Sequence, residues 1–243
     1  MSDDVRNVLV AGGAGGVGEG IVRALLASVP DVRVIATSRS ADRLAMLESR
    51  LGAYADVNRL IGIVGDAGHS LGADAIRDRI RAEVGQLDIA IPSLGGWWEG
   101  GALLDVDLAT WDAVMLEMLD IHFVFARTFV PELQRRPGGW YLAIGGGAAF
   151  FPVPNASIVS IAAAAQLMMT RALAAENKRG DVRITELVVN GPVRTRDSET
   201  MAQPDWITAE DVGTVVADLV RSGSSSWPLR RDGPILIMNP RGR

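Results

Sequence analysis

Few side chains in this chain of 243 residues can transfer a proton. Lysine occurs once among the 24 basic residues, at Lys178; the tyrosines are Tyr54 and Tyr141, and the histidines are His69 and His122. Cysteine is absent, which excludes disulfides, thiolate nucleophiles and cysteine metal sites. We assign no metal site. Acid–base chemistry therefore depends on these five residues, on a carboxylate or on a hydroxyl.

A glycine-rich turn follows the first apolar run. The segment AGGAGGVGEG places Gly12, Gly16 and Gly18 at a G-x-x-x-G-x-G spacing, and a helix is predicted from about Val17. Glycine permits a tight turn and a close ligand approach, while the helix N-terminus offers free N–H groups to a pyrophosphate. Because the turn lies between a strand and a helix, it indicates nucleotide binding more than a purely structural turn.

The end of the second apolar run, VIATSRS, indicates which nucleotide is bound. A protein that prefers NAD usually has an acidic residue here for the ribose hydroxyl, but this chain has Ser38 and Arg39, with Arg43 one turn later. A guanidinium can pair with a 2′-phosphate that a carboxylate would repel. We therefore predict NADP(H), with a solvated surface arginine as the alternative.

Short apolar runs alternate with helical patterns along the whole chain, which predicts βαβ units around a parallel sheet. The predicted strands are 8–11, 32–36, 60–64, 87–91, 140–144, 184–189 and 235–238, and the predicted helices lie near 17–28, 41–52, 72–84, 108–130, 157–179 and 209–222. We predict a single α/β domain over residues 1–243: a doubly wound Rossmann-type fold with about seven parallel strands and helices on both faces.

These motifs resemble the short-chain dehydrogenase/reductase family over nearly the whole chain. VGDAG matches the family stretch near the adenine, SLGG keeps one glycine of the fourth strand end, and VVNGPVRT resembles the loop beside the nicotinamide. The resemblance implies a cofactor site. Together with the motifs above, it predicts that the residues of this site are Gly12, Gly16, Val17, Gly18, Ser38, Arg39, Asp66, Ala67, Gly95, Gly191 and Thr195.

The resemblance fails at the family's catalytic residues. The family uses an asparagine, a serine, a tyrosine that transfers the proton and a lysine that lowers the tyrosine pKa. Aligned by flanking motifs, these positions fall on Met118, Gly146, Val159 and Ala163. Neither tyrosine in the chain is followed by lysine four residues later. The usual route of carbonyl reduction is therefore not expected.

Substitute proton donors are few. Glu99 follows the fourth strand, Ser160 is next to the tyrosine position, and His122 lies one helical turn beyond Met118. Each has a structural alternative: a packed loop for Glu99, a helix contact for Ser160 and an interior group for His122. A substrate pocket is predicted where open α/β sheets bind ligands, at the carboxyl ends of the strands. The predicted pocket residues are Trp97, Trp98, Gly146, Phe151 and Val159.

Three functions remain open: an NADP(H)-dependent oxidoreductase with an atypical proton path, a non-redox enzyme such as a cyclase or isomerase, and a non-catalytic subunit. The net charge of −5 argues against nucleic acid as a partner. The acidic start MSDDVRNVLV has no apolar leader, and we expect a cytoplasmic protein without membrane contact. The apolar long helices and the resemblance imply a homodimer or homotetramer, or a hetero-oligomer with a catalytically complete relative.

Overall fold

The computed structural model describes residues 5–177 and 180–240. The helices are α1 (Gly16–Ser28), α2 (Ala41–Leu51), α3 (Ser70–Glu83), α4 (Leu108–Met115), α5 (Ile121–Leu133), α6 (Ser157–Glu176) and α7 (Ala209–Ser222). The strands are β1 (Arg6–Ala11), β2 (Val32–Ser38), β3 (Leu60–Val64), β4 (Ile89–Pro92), β5 (Gly139–Gly146), β6 (Val182–Val189), β7 (Val193–Arg194), β8 (Ile207–Thr208), β9 (Leu229–Asp232) and β10 (Ile235–Met238).

The described residues form one α/β domain around an eight-stranded sheet. The strand order is β3-β2-β1-β4-β5-β6-β10-β9, and the first seven of these strands run parallel. All seven predicted strands are confirmed. The prediction missed β9, which pairs antiparallel with β10 at the sheet edge. Its residues, LRRD, are largely polar because an edge strand is not covered by helices on both faces.

Helices cover both faces of the sheet, as the alternation along β1 illustrates. Val8 and Val10 pack into one core with α1, α2 and α7, whereas Leu9 packs into the other core with α3 and α5. All three side chains are fully buried. The near-continuous apolar strands follow from this burial on both sides.

Two predicted helices differ from the structure. The helix predicted at 108–130 is α4 and α5 joined by one π-helical turn, Leu116–Asp120, which holds the Met118 position. The helix predicted at 157–179 ends at Glu176, and Lys178 lies outside the described residues. Among the described helices, α6 alone is long and apolar enough to cross a membrane, and 39% of its most apolar window is buried inside the protein.

Candidate functional site

The glycine-rich turn connects β1 to α1 with a backbone that other residues could not adopt. Gly12 has φ 73° and accepts a hydrogen bond from the N–H of Gly15 (N···O 2.8 Å). A Cβ on Gly12 would clash with the carbonyl oxygen of Ser93, and one on Gly18 would clash with that of Gly12. No side chain caps α1 at Gly15. The first N–H groups of α1 therefore face the turn, as an anion-binding helix N-terminus requires.

The predicted 2′-phosphate residues lie at the end of β2. The hydroxyl of Ser38 accepts a hydrogen bond from the N–H of Ser40 (N···Oγ 3.2 Å), and the Ser40 hydroxyl in turn caps α2 through the N–H of Arg43 (3.3 Å). These bonds fix the β2–α2 turn, while the side chains of Arg39 and Arg43 are exposed. Two guanidinium groups are thus available at this edge of the sheet.

The other predicted cofactor residues follow the carboxyl ends of β3, β4 and β6. Asp66 accepts a hydrogen bond from the N–H of Gly68 (2.9 Å), and Ala67 is buried beside it. Gly95 is exposed with φ 102°, and Gly191 follows β6. Parallel strands end at a common edge, so these positions and the glycine-rich turn lie along one side of the sheet.

Thr195 contacts the glycine-rich turn directly. A Cβ built on Gly16 would lie 2.7 Å from Thr195 Cβ and 3.0 Å from its Oγ1, which is closer than real side chains approach. Gly16 is the first residue of α1. The structure therefore brings together Gly12, Gly16, Gly18 and Thr195.

The four positions that the resemblance aligned with the family's catalytic residues lie on three elements. Met118 lies in the π-helical turn, Gly146 ends β5, and Val159 and Ala163 lie one turn apart on α6. Val159 is 7% exposed and Gly146 is exposed. No side chain at these positions can donate a proton.

The three substitute candidates lie in different environments. Ser160 is buried, and its hydroxyl accepts a hydrogen bond from the N–H of Val153 (3.0 Å), so it anchors the loop after β5. Burial lowers the pKa of His122 to about 4, although an interaction with the Leu94 backbone opposes this. Its Nδ1 has no partner among the described residues. Glu99 is exposed in a loop. No hydrogen bond joins any two of these three side chains among the described residues.

Sequence reasoning missed a buried carboxylate on β6. Glu186 is fully buried, and its Oε2 accepts a hydrogen bond from the hydroxyl of Thr170 (2.6 Å). Its Oε1 accepts one from Gln166 Nε2 (3.4 Å) and lies against Gly145. Burial raises the pKa of Glu186 to about 7, against the opposing effects of Thr170 and Arg171. A charged residue inside the apolar run ITELVV was the available signal.

A cleft of about 700 Å³ opens beside Gly191. Its lining comprises Phe151, Asn190, Gly191, Pro192, Gln203, Asp205, Trp206, Asn239 and Pro240. Asn190 Nδ2 donates to Asn239 Oδ1 (2.8 Å), which joins the ends of β6 and β10. Of the predicted pocket residues, Phe151 lines this cleft.

The remaining predicted pocket residues, Trp97, Trp98, Gly146 and Val159, are not among its lining. Trp97 is 61% exposed, and the ring of Trp98 covers Gly100. Gly100 and Gly101 donate hydrogen bonds to the carbonyl oxygen of Asn155 (3.0 and 3.3 Å). The two tryptophans thus lie on a loop that is attached to the segment preceding α6.

Three comparisons relate the chain to known proteins. A model of the family described as short chain dehydrogenase matches residues 6–205. Cis-2,3-dihydrobiphenyl-2,3-diol dehydrogenase from Metapseudomonas furukawaii is 31% identical over 172 residues, which cover 70% of this chain and 59% of the relative. The chain spans only 59–60% of the length of the curated relatives of this name.

Two solved structures match the fold over nearly the whole chain. A metagenomic short-chain oxidoreductase in complex with NADP has a TM-score of 0.78 and 22% identity, with 98% of each chain covered. An alcohol dehydrogenase from Thermococcus sibiricus complexed with 5-hydroxy-NADP also has a TM-score of 0.78, with 18% identity over 96% of this chain and 95% of that chain. At these identities the likeness shows the fold.

Proposed function

The chain belongs to the short chain dehydrogenase family, and we propose that it is an NADP(H)-dependent oxidoreductase acting on a small organic substrate without the family's tyrosine–lysine pair. One observation carries the proposal. The glycine-rich turn keeps its close backbone contacts, no side chain caps the helix N-terminus that follows, and Thr195 lies beside Gly16. This arrangement suits a pyrophosphate.

Arg39 and Arg43 support NADP(H) over NAD(H). Both side chains are exposed at the end of β2, where a 2′-phosphate would be neutralised by a guanidinium. The NADP held by the two structural neighbours agrees with this choice. The nicotinamide ring would supply or accept the hydride.

The proton path is atypical in this proposal, because none of the three substitute candidates lines the cleft. His122 is buried and neutral, the Ser160 hydroxyl anchors a loop, and Glu99 is exposed. An activated alkene or ketone suits such a site. Hydride addition to an activated alkene leaves an enolate that water can protonate, so the missing general acid, typically worth about 10²–10⁴-fold, matters less.

The cleft supports an aromatic substrate that bears polar groups. Phe151 and Trp206 supply ring faces, and the side chains of Asn190, Gln203 and Asn239 supply amide groups. The relative that acts on a dihydrobiphenyl diol suggests the same class. We therefore place substituted aromatic compounds first in a substrate screen.

A second candidate function, a subunit of an oligomer, is favoured by apolar exposure on the helical face around α4, α5 and α6. The exposed residues there include Leu104, Leu108, Leu116, Phe123, Ile161 and Met168. Leu104 is 96% exposed and Leu108 is 80% exposed, which is costly for a monomer. We propose that this surface joins copies of the chain into a homodimer or homotetramer, or binds a catalytically complete relative, in the cytoplasm.

Calorimetric titration of the full chain with NADPH and NADH tests the cofactor. We expect micromolar NADPH binding and much weaker NADH binding. Arg39→Gln should weaken NADPH binding about tenfold and leave NADH binding unchanged, whereas Arg230→Gln, exposed on β9, is the matched control. Binding of neither nucleotide would exclude the proposed function and favour a non-redox enzyme or a subunit. Absorbance at the NADPH band with aromatic enones, ketones and diols then tests turnover.

A further inference from the structure

Glu19 lies at the centre of an arginine cluster beside the glycine-rich turn. Arg50, from the end of α2, donates to both carboxylate oxygens (Nε···Oε1 2.8 Å, Nη2···Oε2 2.7 Å). Arg196 Nη1 donates to Oε2 at 2.8 Å, and Arg23 lies 3.6 Å from Oε1. The Glu19 side chain is only 15% exposed. Burial raises the pKa of Glu19, but hydrogen bonding and charge from Arg50, with Arg196 and Arg23, lower it overall.

Two consecutive residues, Thr195 and Arg196, attach to the same face of α1. Thr195 packs on Gly16, and Arg196 pairs with Glu19. Gly16 and Glu19 are three residues apart, so their side-chain positions are neighbours on the helix. Since α1 begins at Gly16, both contacts lie on its first turn, next to the proposed pyrophosphate site.

The chain that follows Arg196 forms one wall of the cleft. Strands β7 and β8 pair with each other and bracket a segment, residues 193–208, that we call the cleft segment. Gln203, Asp205 and Trp206 within it line the cleft. The strand β7 has two residues, and its pairing with β8 offers few hydrogen bonds. Val193 and Ile207 at the ends of the segment pack on the core, and the attachment to α1 adds a further contact that places the wall.

We propose that the Glu19–Arg196 ion pair positions the cleft segment. This one attachment then fixes the position of the substrate cleft relative to the cofactor turn. The pair is not needed to hold α1 and α2 together, because Glu19 meets Arg50 independently. A bound cofactor does not explain the location of Glu19 either, because a carboxylate near a negatively charged pyrophosphate is electrostatically unfavourable. Arg196 is a positioning residue, and its role in turnover rests on the proposed function.

Hydrogen–deuterium exchange of the full chain without nucleotide tests the attachment. Arg196→Gln keeps the Glu19–Arg50 pair and should increase exchange across residues 193–206 about tenfold, as expected for losing a charge-assisted hydrogen bond. Arg194→Gln is the matched control, because Arg194 lies two residues away and pairs only at 4.0 Å with Glu199. Arg194→Gln should change exchange less than twofold, because a long ion pair at the surface contributes little to stability. Equal exchange in the two variants would overturn the proposal.

A double-mutant cycle separates positioning from general destabilisation. Glu19→Gln should raise exchange of the cleft segment, and adding Arg196→Gln to it should give little further increase. Arg196→Lys, which retains the charge, should restore part of the protection. Additive effects in the double variant, or exchange that rises equally throughout the protein, would contradict a shared attachment.

Nucleotide titration supplies the link to function. In Arg196→Gln, the Kd for NADPH should rise about fivefold because Thr195 is no longer held against Gly16, while Arg194→Gln should match the unmodified chain. Equal Kd values in these variants would overturn the link between the segment and the cofactor turn. If the unmodified chain binds no nucleotide, the proposed function fails, and the exchange experiment still decides whether the ion pair positions the segment.

Discussion

Two buried titratable groups make opposite contributions to the pH dependence of the free energy of unfolding. Glu186 has its pKa raised by burial from the ordinary 4.5 to about 7, so the folded protein binds its proton more tightly than the unfolded chain does. His122 has its pKa lowered by burial from 6.5 to about 4, so the folded protein binds that proton less tightly. Between pH 4.5 and 6.5 the two groups act in opposite directions.

Each contribution changes the free energy of unfolding by about 1.4 kcal/mol per pH unit inside that window. As pH rises through this window, the Glu186 contribution falls because the carboxyl ionises only in the unfolded chain. The His122 contribution grows because the imidazole loses its proton only in the unfolded chain. The two cancel, and we expect nearly constant stability. In Glu186→Gln only the His122 contribution remains, so the free energy of unfolding should rise by about 3 kcal/mol from pH 4.5 to 6.5. His122→Gln should expose the opposite slope.

Urea unfolding followed by circular dichroism at pH steps from 4.5 to 8 measures both slopes. His69→Gln, at an exposed histidine near α3, is the control and should keep the flat profile. Tyr141, whose pKa is raised by burial and by the charge of Glu186, stays neutral throughout. A flat profile in Glu186→Gln, or a slope of the same sign in both variants, would refute the reasoning.

Three further predictions follow from single contacts. Gly18→Ala should abolish measurable nucleotide binding in the calorimeter, because its Cβ would clash with the Gly12 carbonyl oxygen; retained binding would show that the turn is not the site. Arg59 donates to the carbonyl oxygens of three residues around the α1–β2 turn at 2.6–3.2 Å, and Arg59→Gln should lower the free energy of unfolding by about 2 kcal/mol. Phe123→Glu with Met168→Glu, at 58% exposed positions, should convert the proposed oligomer to monomers in sedimentation velocity, and an unchanged sedimentation coefficient would place the interface elsewhere.

The sequence predicted the seven parallel strands because each is buried on both faces, which leaves a run of apolar residues. It did not predict β9, since an edge strand with the sequence LRRD carries no apolar signal. The π-helical turn at Leu116–Asp120 was missed for another reason. A single π turn adds one residue to a helix, and in an apolar stretch this leaves no visible change in the spacing of apolar residues.

The turn residues of the candidate site were predictable, because glycine spacing reports directly on the backbone. The cleft was only partly predictable. It is assembled from the loop after β5, the end of β6, the cleft segment and the residues after β10, and nothing local links them. The arginine cluster around Glu19 was missed because Arg196 is 177 residues away along the chain. Such contacts are fixed by tertiary structure.

The inner face of α6 carries its hydrogen-bonding side chains toward the C-terminal half of the helix. Val159, Ala163, Gln166 and Thr170 follow the helical spacing of one face, and the polar side chains stand at the last two positions. They hold Glu186, the most deeply buried carboxylate among the described residues. The hydrogen-bonding groups of this face therefore serve a buried acid. Glu186 on β6 lies against Gly145 of β5, and α6 packs on these strands through the hydrogen bonds of Gln166 and Thr170.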